Sequence, residues 1–266
     1  MGHVIAFTNH KGGVGKTTTA INIAYTLTRQ KKKVLLVDAD PQGNASTTIG
    51  QVPAFEQPHT IAELLTDKGM QFSSCAVPSK YKNLDLIPSN INAASLNTML
   101  SPSDPMRFIG FRHKFDDAAK DRYDYILIDC PPTIDGPFLV NALVVSDFYV
   151  IPIEAESVYA LAGVDALLKA IETITESTNP NLAMLGALIT MYDARTQAGR
   201  YMSEAITDYF QSKVFSTRIS RNTAINKANM LGCCVCDMDS STKGCKDYRA
   251  LAHEIVKRIQ ELESAS

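Results

Sequence analysis

The chain has 266 residues, 45% of them hydrophobic and 20% charged, with a formal net charge of −2. That length and apolar content suffice for one large α/β core, and the charge excludes a uniformly basic nucleic-acid binder. No apolar run reaches the length of a membrane span, because the nearest, Phe138 to Ile153, is interrupted by Asn141, Ser146 and Asp147.

A predicted strand, Val4-Ile5-Ala6-Phe7, begins within a few residues of the N-terminus. This leaves no room for a signal peptide or a preceding DNA-binding module and points to a cytoplasmic protein. Lys11-Gly12-Gly13-Val14-Gly15-Lys16-Thr17-Thr18 follows, and then a helical spacing from Thr17 to Arg29 with Ile21, Ala24 and Leu27 on one side. An ordinary phosphate-binding loop reads Gly-x-x-x-x-Gly-Lys-[Ser/Thr]: backbone N–H groups close on the phosphates, the lysine reaches the β- and γ-phosphates, and the hydroxyl ligates Mg²⁺. Gly15, Lys16 and Thr17 fill the end of that pattern, but its first glycine falls on His10. Strand, loop and helix N-terminus together make an anion site. Lys11 is a second cation, too near the first turn to serve the same phosphates from the same side. It is expected to point outward, toward a nucleotide held by another copy of the chain.

Lys31-Lys32-Lys33 reads as a solvated helix end, where cations suit the helix dipole. Predicted strands recur at Val34–Val37, Leu84–Ile87, Tyr125–Ile128, Phe148–Ile153, Leu185–Ile189 and Val214–Ile219. Amphipathic helices are predicted over Leu161–Thr175 and Arg249–Leu262. Strands alternating with helices argue for an α/β fold, a single doubly wound, mostly parallel sheet flanked by helices, with no linker or repeat to divide residues 1–266. Ligands bind such sheets at the carboxyl ends of the strands, where Asp38, Asp40 and Asp129 lie. Asp129 stands where a carboxylate holds Mg²⁺ through water, with Thr17 on the same ion, and Pro131-Pro132 stiffens the rim. Asp38 has two readings, a metal-shell group or a turn carboxylate.

Cys233, Cys234, Cys236 and Cys245 lack the paired Cys-x-x-Cys spacing of a zinc site and read as small buried thiols. Residues 195–258 hold 11 Lys/Arg against 6 Asp/Glu, a net +5, which leaves −7 for the remainder. A basic third on an acidic body is the footprint of backbone-directed binding to a polyanion, although ordinary surface cations give the same count.

Lys11 to Thr18, followed by Val37-Asp38-Ala39-Asp40-Pro41-Gln42-Gly43-Asn44, resembles the ParA/Soj group of deviant Walker-type ATPases, whose relatives include MinD and the nitrogenase iron protein. The likeness runs on through Ile128-Asp129-Cys130-Pro131-Pro132, Asn141-Ala142-Leu143, Thr190 to Thr196, Ile219-Ser220-Arg221-Asn222 and Tyr248 to Glu254. It implies ATP and Mg²⁺ as ligands, and a nucleotide site formed by Lys11, Gly12, Gly13, Val14, Gly15, Lys16, Thr17 and Thr18. It also implies catalysis by Lys11, Lys16 and Asp40, the last orienting the attacking water, with Asp38 supporting the metal shell. Met191 and Ser220 are implied as base contacts. Arg200, Arg218, Arg221, Lys227, Lys243 and Lys246 lie in or near segments that ParA-type proteins use on DNA, and Arg221 has a rival role beside the adenine. Ser220 replaces a usual proline, Asn226-Lys227-Ala228-Asn229 replaces a usual Ser-Glu-Ala-Pro, and Asp135 stands where small residues are common.

The resemblance implies a homodimer when ATP is bound, non-specific DNA, a ParB-like or adaptor protein that stimulates hydrolysis, and a nucleoid-associated location. A MinD-like membrane switch would need an amphipathic basic tail, whereas the sequence closes on Glu261-Leu262-Glu263-Ser264-Ala265-Ser266. An electron-transfer ATPase with a bridging iron–sulfur cluster is the third reading.

Overall fold

The computed structural model describes residues 2–95, 106–157 and 159–265. Seven strands form one sheet: β1 (His3–Phe7), β2 (Val34–Asp38), β3 (Val77–Pro78), β4 (Leu84–Ile87), β5 (Tyr125–Asp129), β6 (Phe148–Glu154) and β7 (Ala183–Thr190). Their order is β3-β4-β2-β5-β1-β6-β7, and every pairing is parallel except that of β3 with β4. The strands are apolar on both sides, as a covered parallel sheet requires. Val4, Ala6, Ile126, Ile128, Ile151 and Ile153 face one core, while Ile5, Phe7, Tyr125, Leu127 and Val150 face the other.

The helices complete the layers. In chain order they are α1 (Lys16–Arg29), α2 (Asn44–Ile49), α3 (Ile61–Thr66), α4 (Phe72–Cys75), α5 (Met106–Lys114) and α6 (Asp117–Arg122). There follow α7 (Pro137–Val145), α8 (Val164–Ser177), α9 (Gln197–Phe210), α10 (Thr223–Met230), α11 (Val235–Met238) and α12 (Lys243–Ala265). Helices α1, α2, α10, α11 and α12 pack on one face, and α3 to α9 pack on the other. The apolar stripe of α12, Leu251, Ile255 and Ile259, is buried against α1 and the sheet. No described helix is long and apolar enough to cross a membrane.

Three expectations need correction. The run Val214–Ile219 forms no continuous strand: it meets the edge of β7 at an isolated bridge of Val214 with Ala187 and through the N–H groups of Phe215 and Ile219, which donate to Ala187 O and Ile189 O at 2.9 Å. Phe215 and Ile219 are buried as a strand's would be. Between them, the N–H groups of Ser216 and Thr217 donate instead to Glu254 on α12, at 2.7 and 2.8 Å. Helix α8 starts at Val164 rather than Leu161, because Gly163 takes φ 79° before it. A Cβ on Gly163 would stand 2.5 Å from His10 Nε2, so glycine also lets the phosphate loop lie against this turn. Third, Cys236 and Cys245 are joined by a disulfide, since α11 folds back on the first turn of α12 with the two Cα atoms 4.7 Å apart. Cys233 and Cys234 remain thiols.

Burial raises the pKa of Glu254, but the two N–H groups and Arg258 outweigh it and hold the carboxyl below its ordinary value. A depressed acid contributes stability that is present above its unfolded pKa and lost as pH falls through its folded pKa. Glu254→Gln should therefore cost about 1–3 kcal/mol in urea unfolding at neutral pH. The gap to the parent should close below the ordinary carboxylate range, and a gap independent of pH would count against the assigned role.

Candidate functional site

The site begins where β1 ends. Asn9 donates from Nδ2 to Pro152 O at 2.7 Å and accepts from Lys11 N–H at 3.0 Å, which pins the start of the loop beside β6. The loop then turns back into α1, with Gly13 at φ 79° and Gly15 at φ 87°. Both angles are in the left-handed region that side chains disfavour, and the turn aims the first N–H groups of α1 into the loop's cradle. Lys16 is buried and reaches across the loop, donating from Nζ to Lys11 O at 3.0 Å. Thr190 Oγ1 donates to Val14 O at 2.9 Å and so ties the loop to the end of β7.

Strand register sets the acids. Phe7 and Asp38 are both register partners of Asp129, so three strand ends lie level beside the loop. Asp129 is fully buried and neither carboxylate oxygen has a hydrogen-bond partner among the described residues. Burial, then the neighbouring Asp38, pushes its pKa well above the ordinary carboxylate range; Thr17 and Lys16 nearby favour the charged form without reversing the shift. Burial likewise lowers the pKa of Lys16, with Asp129 and Asp40 opposing. A pair of buried carboxylates with an unsatisfied member is a demand for a cation. No described cluster of three or more His, Cys, Asp or Glu could hold a metal by itself. That suits Mg²⁺, which keeps its waters and leans on one or two protein ligands plus substrate phosphates. Thr17 and Asp129 fit that requirement.

Asp38 makes the contacts of a turn carboxylate, one of the two readings its sequence position allows. Its Oδ2 accepts from Ser46 N–H at 2.8 Å and Ser46 Oγ at 2.7 Å, and Oδ1 accepts from Asp40 N–H at 3.3 Å. Burial nevertheless pushes its pKa up to about 6. Both oxygens are thus engaged in holding the 40–46 turn, and Asp38 acts on the site by fixing Asp40. Asp40 accepts from Gln42 N–H through Oδ1 at 2.9 Å and has no hydrogen bond at Oδ2 among the described residues.

Lys11 departs from the expected outward pose. Its ammonium lies against the Glu154 carboxylate of the same chain, because the loop start is pinned beside the end of β6. Gly12 and Gly13 are exposed, and a Cβ on either would meet nothing within 4 Å.

A cleft with about 640 Å³ of open space adjoins the loop at Gly15 and Thr18. Met191 and Ser220 both line it, together with Ile219, Ile225 and Tyr248. Met191 adopts φ 53°, and Ser220 N–H donates to Asp247 on α12 at 2.9 Å. Arg221 crosses the rim to Glu156 at 2.8 Å.

The pattern of the AAA domain family matches residues 2–184. The chain is 38% identical over 255 residues to the sporulation initiation inhibitor protein Soj of Bacillus subtilis, covering 96% of this chain and 98% of that one. It is 36% identical over 262 residues to the chromosome partitioning protein ParA of Myxococcus xanthus, covering 97% and 89%. The chain belongs to the ParA/Soj family of partition ATPases. Among solved structures, cobyrinic acid a,c-diamide synthase of Mycobacterium smegmatis with bound ATP analogue and magnesium superposes with TM-score 0.82 at 30% identity, covering 98% of this chain and 96% of that one.

In this member of the partition-ATPase family, the six DNA candidates are all exposed but not equally free. Arg200 donates to Ala194 O at 2.7 Å, and Arg218 stacks its guanidinium 4.9 Å from the Tyr192 ring centre. Arg221 is paired with Glu156 and Lys243 with Asp247. Lys227 and Lys246 have no ion pair among the described residues. Sequence reasoning missed Glu154, Glu156, Ile225 and Tyr248. Tyr248 stood in the sequence only as the start of the last ParA-like segment and Ile225 was not singled out, and nothing local marks the two acids as partners of Lys11 and Arg221.

Asp129→Asn should raise the Tm of the nucleotide-free protein by a few degrees while removing Mg²⁺-dependent hydrolysis. An acid whose folded pKa is raised loses stability as pH climbs above its unfolded pKa. The Tm gap should therefore widen from acid to neutral pH. A variant that melts no higher than the parent at neutral pH would contradict an uncompensated charge at Asp129.

Proposed function

We propose that this ParA/Soj-type ATPase is a slow, ATP-dependent dimerising switch that binds DNA without sequence preference. It positions or segregates a cargo, which is a plasmid, a chromosome origin or a protein cluster. A ParB-like or adaptor protein stimulates hydrolysis and releases the ATPase from DNA.

The reading is carried by the division of cations in the phosphate loop. Lys16, the α1 N-terminus, Thr17 and Asp129 complete a site for the phosphates and Mg²⁺ of one ATP. Thr17 and Asp129 would hold the metal, which would supply charge neutralisation to the phosphates. Asp40, whose Oδ2 has no hydrogen bond among the described residues, orients the attacking water; a carboxylate in that role, with half the site on a partner, makes turnover slow. Lys11 is surplus to that set and is held in reserve by Glu154. On leaving Glu154 it enters a second copy's site, in the manner of an arginine finger. The open space around Gly12 and Gly13 supports close approach of two loops. The apolar stripe of α12 is buried in the core and so offers no membrane-binding face, and a switch that rides on DNA would be cytoplasmic and nucleoid-associated.

Lys16→Ala should lose ATP binding. Lys11→Ala should keep a measurable ATP site and lose hydrolysis, and Gly12→Val should bind ATP as a monomer. Asp40→Ala should hold ATP unhydrolysed and accumulate dimer on size-exclusion chromatography with ATP and Mg²⁺. A parent chain that elutes identically with ADP and ATP would sink the switch.

DNA binding should require the ATP dimer, because pairing two basic patches makes the second engagement intramolecular. Affinity should fall by orders of magnitude between about 50 and 200 mM salt if six or more phosphates are neutralised. Arg221→Glu should remove DNA binding and spare dimerisation. Since Arg221 also borders the cleft, ATP affinity must be measured in parallel. Tight binding by the ADP form, or a flat salt response, would overturn the DNA role.

A further inference from the structure

The cleft beside the phosphate loop combines apolar walls, Met191, Ile219, Ile225 and Tyr248, with a polar rim. Most of that rim is already engaged. Thr190 bonds Val14, Asn222 accepts from Ala224 N–H at 2.8 Å as the cap of α10, and Arg221 and Glu156 hold each other. Asn229 donates from Nδ2 to Thr18 Oγ1 at 3.3 Å, joining α10 to the first turn of α1. Asn222, Asn226 and Asn229 are spaced four and three apart, so they share one helical face, and all three line the cleft. Asn226 differs from the other two in having no hydrogen bond from its carboxamide to any of the described residues. Asn229 fixes the distance of this face from the phosphate loop, and Asn226 is left facing whatever occupies the cleft.

The geometry points to Asn226 as a specificity-determining residue that selects adenine over guanine by pairing with the N6/N7 edge of the base. This rests on the reading that the cleft takes the nucleoside of the bound nucleotide. A flat ring held between apolar walls leaves its edge at the polar rim. Adenine presents there a donor, the N6 amino group, beside an acceptor, N7. A carboxamide offers the complementary acceptor and donor in one plane. Guanine presents two acceptors on the same edge, so one end of the carboxamide would face a lone pair and stay unsatisfied. The hydroxyl of Ser220 also has no hydrogen bond among the described residues, but a single hydroxyl cannot contact both positions at once.

The test is isothermal titration with diphosphates, which avoids turnover: ADP, 7-deaza-ADP, GDP and 2′-deoxy-ADP. The parent should bind ADP about five- to tenfold or more tightly than 7-deaza-ADP and GDP. Asn226→Ala should bind ADP and 7-deaza-ADP alike and lose most of its preference over GDP. Asn226→Asp keeps the acceptor and loses the donor, so it too should be blind to N7. Asn226 is exposed, and both variants should melt with the parent. Asn229→Ala should weaken all four ligands by a similar factor and keep the ADP preference. If Asn226→Ala still discriminates ADP from 7-deaza-ADP, or loses only its discrimination against 2′-deoxy-ADP, the assignment is overturned. Failure of the parent to bind any diphosphate, or binding unchanged by Lys16→Ala, would overturn the nucleotide reading itself and is distinct from either result.

Discussion

Two carboxylates side by side in the protein interior are the constraint on which the rest of this chain depends. Asp38 and Asp129 are register partners on adjacent parallel strands, so the backbone hydrogen bonds of the sheet hold them together whatever their charge. Even after relaxation, a buried ion without a partner costs several kcal/mol. The chain neutralises one of the two locally: Ser46 and the Asp40 N–H satisfy Asp38. It leaves Asp129 without a hydrogen bond among the described residues and sets the desolvated ammonium of Lys16 near by. The two apolar faces of the sheet supply the stability that makes this arrangement tolerable. A triphosphate and its magnesium ion bring both missing charges at once, which makes the site's strain and its selectivity the same physical fact.

Around that centre, cations are matched to acids of the same chain. Lys11 lies on Glu154 and Arg221 on Glu156, two acids separated by a single residue at the end of β6. The phosphate loop and the rim of the cleft beside it are therefore held by one short segment. Lys243 pairs with Asp247, whose other oxygen takes the Ser220 N–H, and Arg218 stacks on Tyr192 next to Met191. Several of the basic groups that would meet a polyanion are thus tied to the walls of that cleft. Exchange of one ionic partner for another keeps the charge balance and costs little compared with stranding a buried charge.

The phosphate loop was legible because its chemistry is contiguous: strand, glycines, Lys-Thr and helix follow one another without a gap. The strands were legible because a sheet covered on both faces needs unbroken apolar runs. That same signal misled at Val214–Ile219, where Phe215 and Ile219 are buried but the intervening N–H groups bond Glu254, about forty residues further along the chain. An apolar run reports burial and not the partner of the backbone. The start of α8 was misplaced for a related reason, since the approach of His10 to Gly163 is not visible in either segment alone.

The sequence by itself therefore determined the fold class, the phosphate loop and the identity of the acidic strand ends, because each rests on neighbours in the chain. Tertiary structure decided which acid was satisfied and which was left bare, that Lys11 is held by Glu154, that Cys236 meets Cys245, and which side chains wall the cleft beside the phosphate loop. Charge balance and hydrogen-bond satisfaction are properties of neighbours in space. The residues concerned, such as Asn229 with Thr18 or Lys11 with Glu154, lie 211 and 143 positions apart.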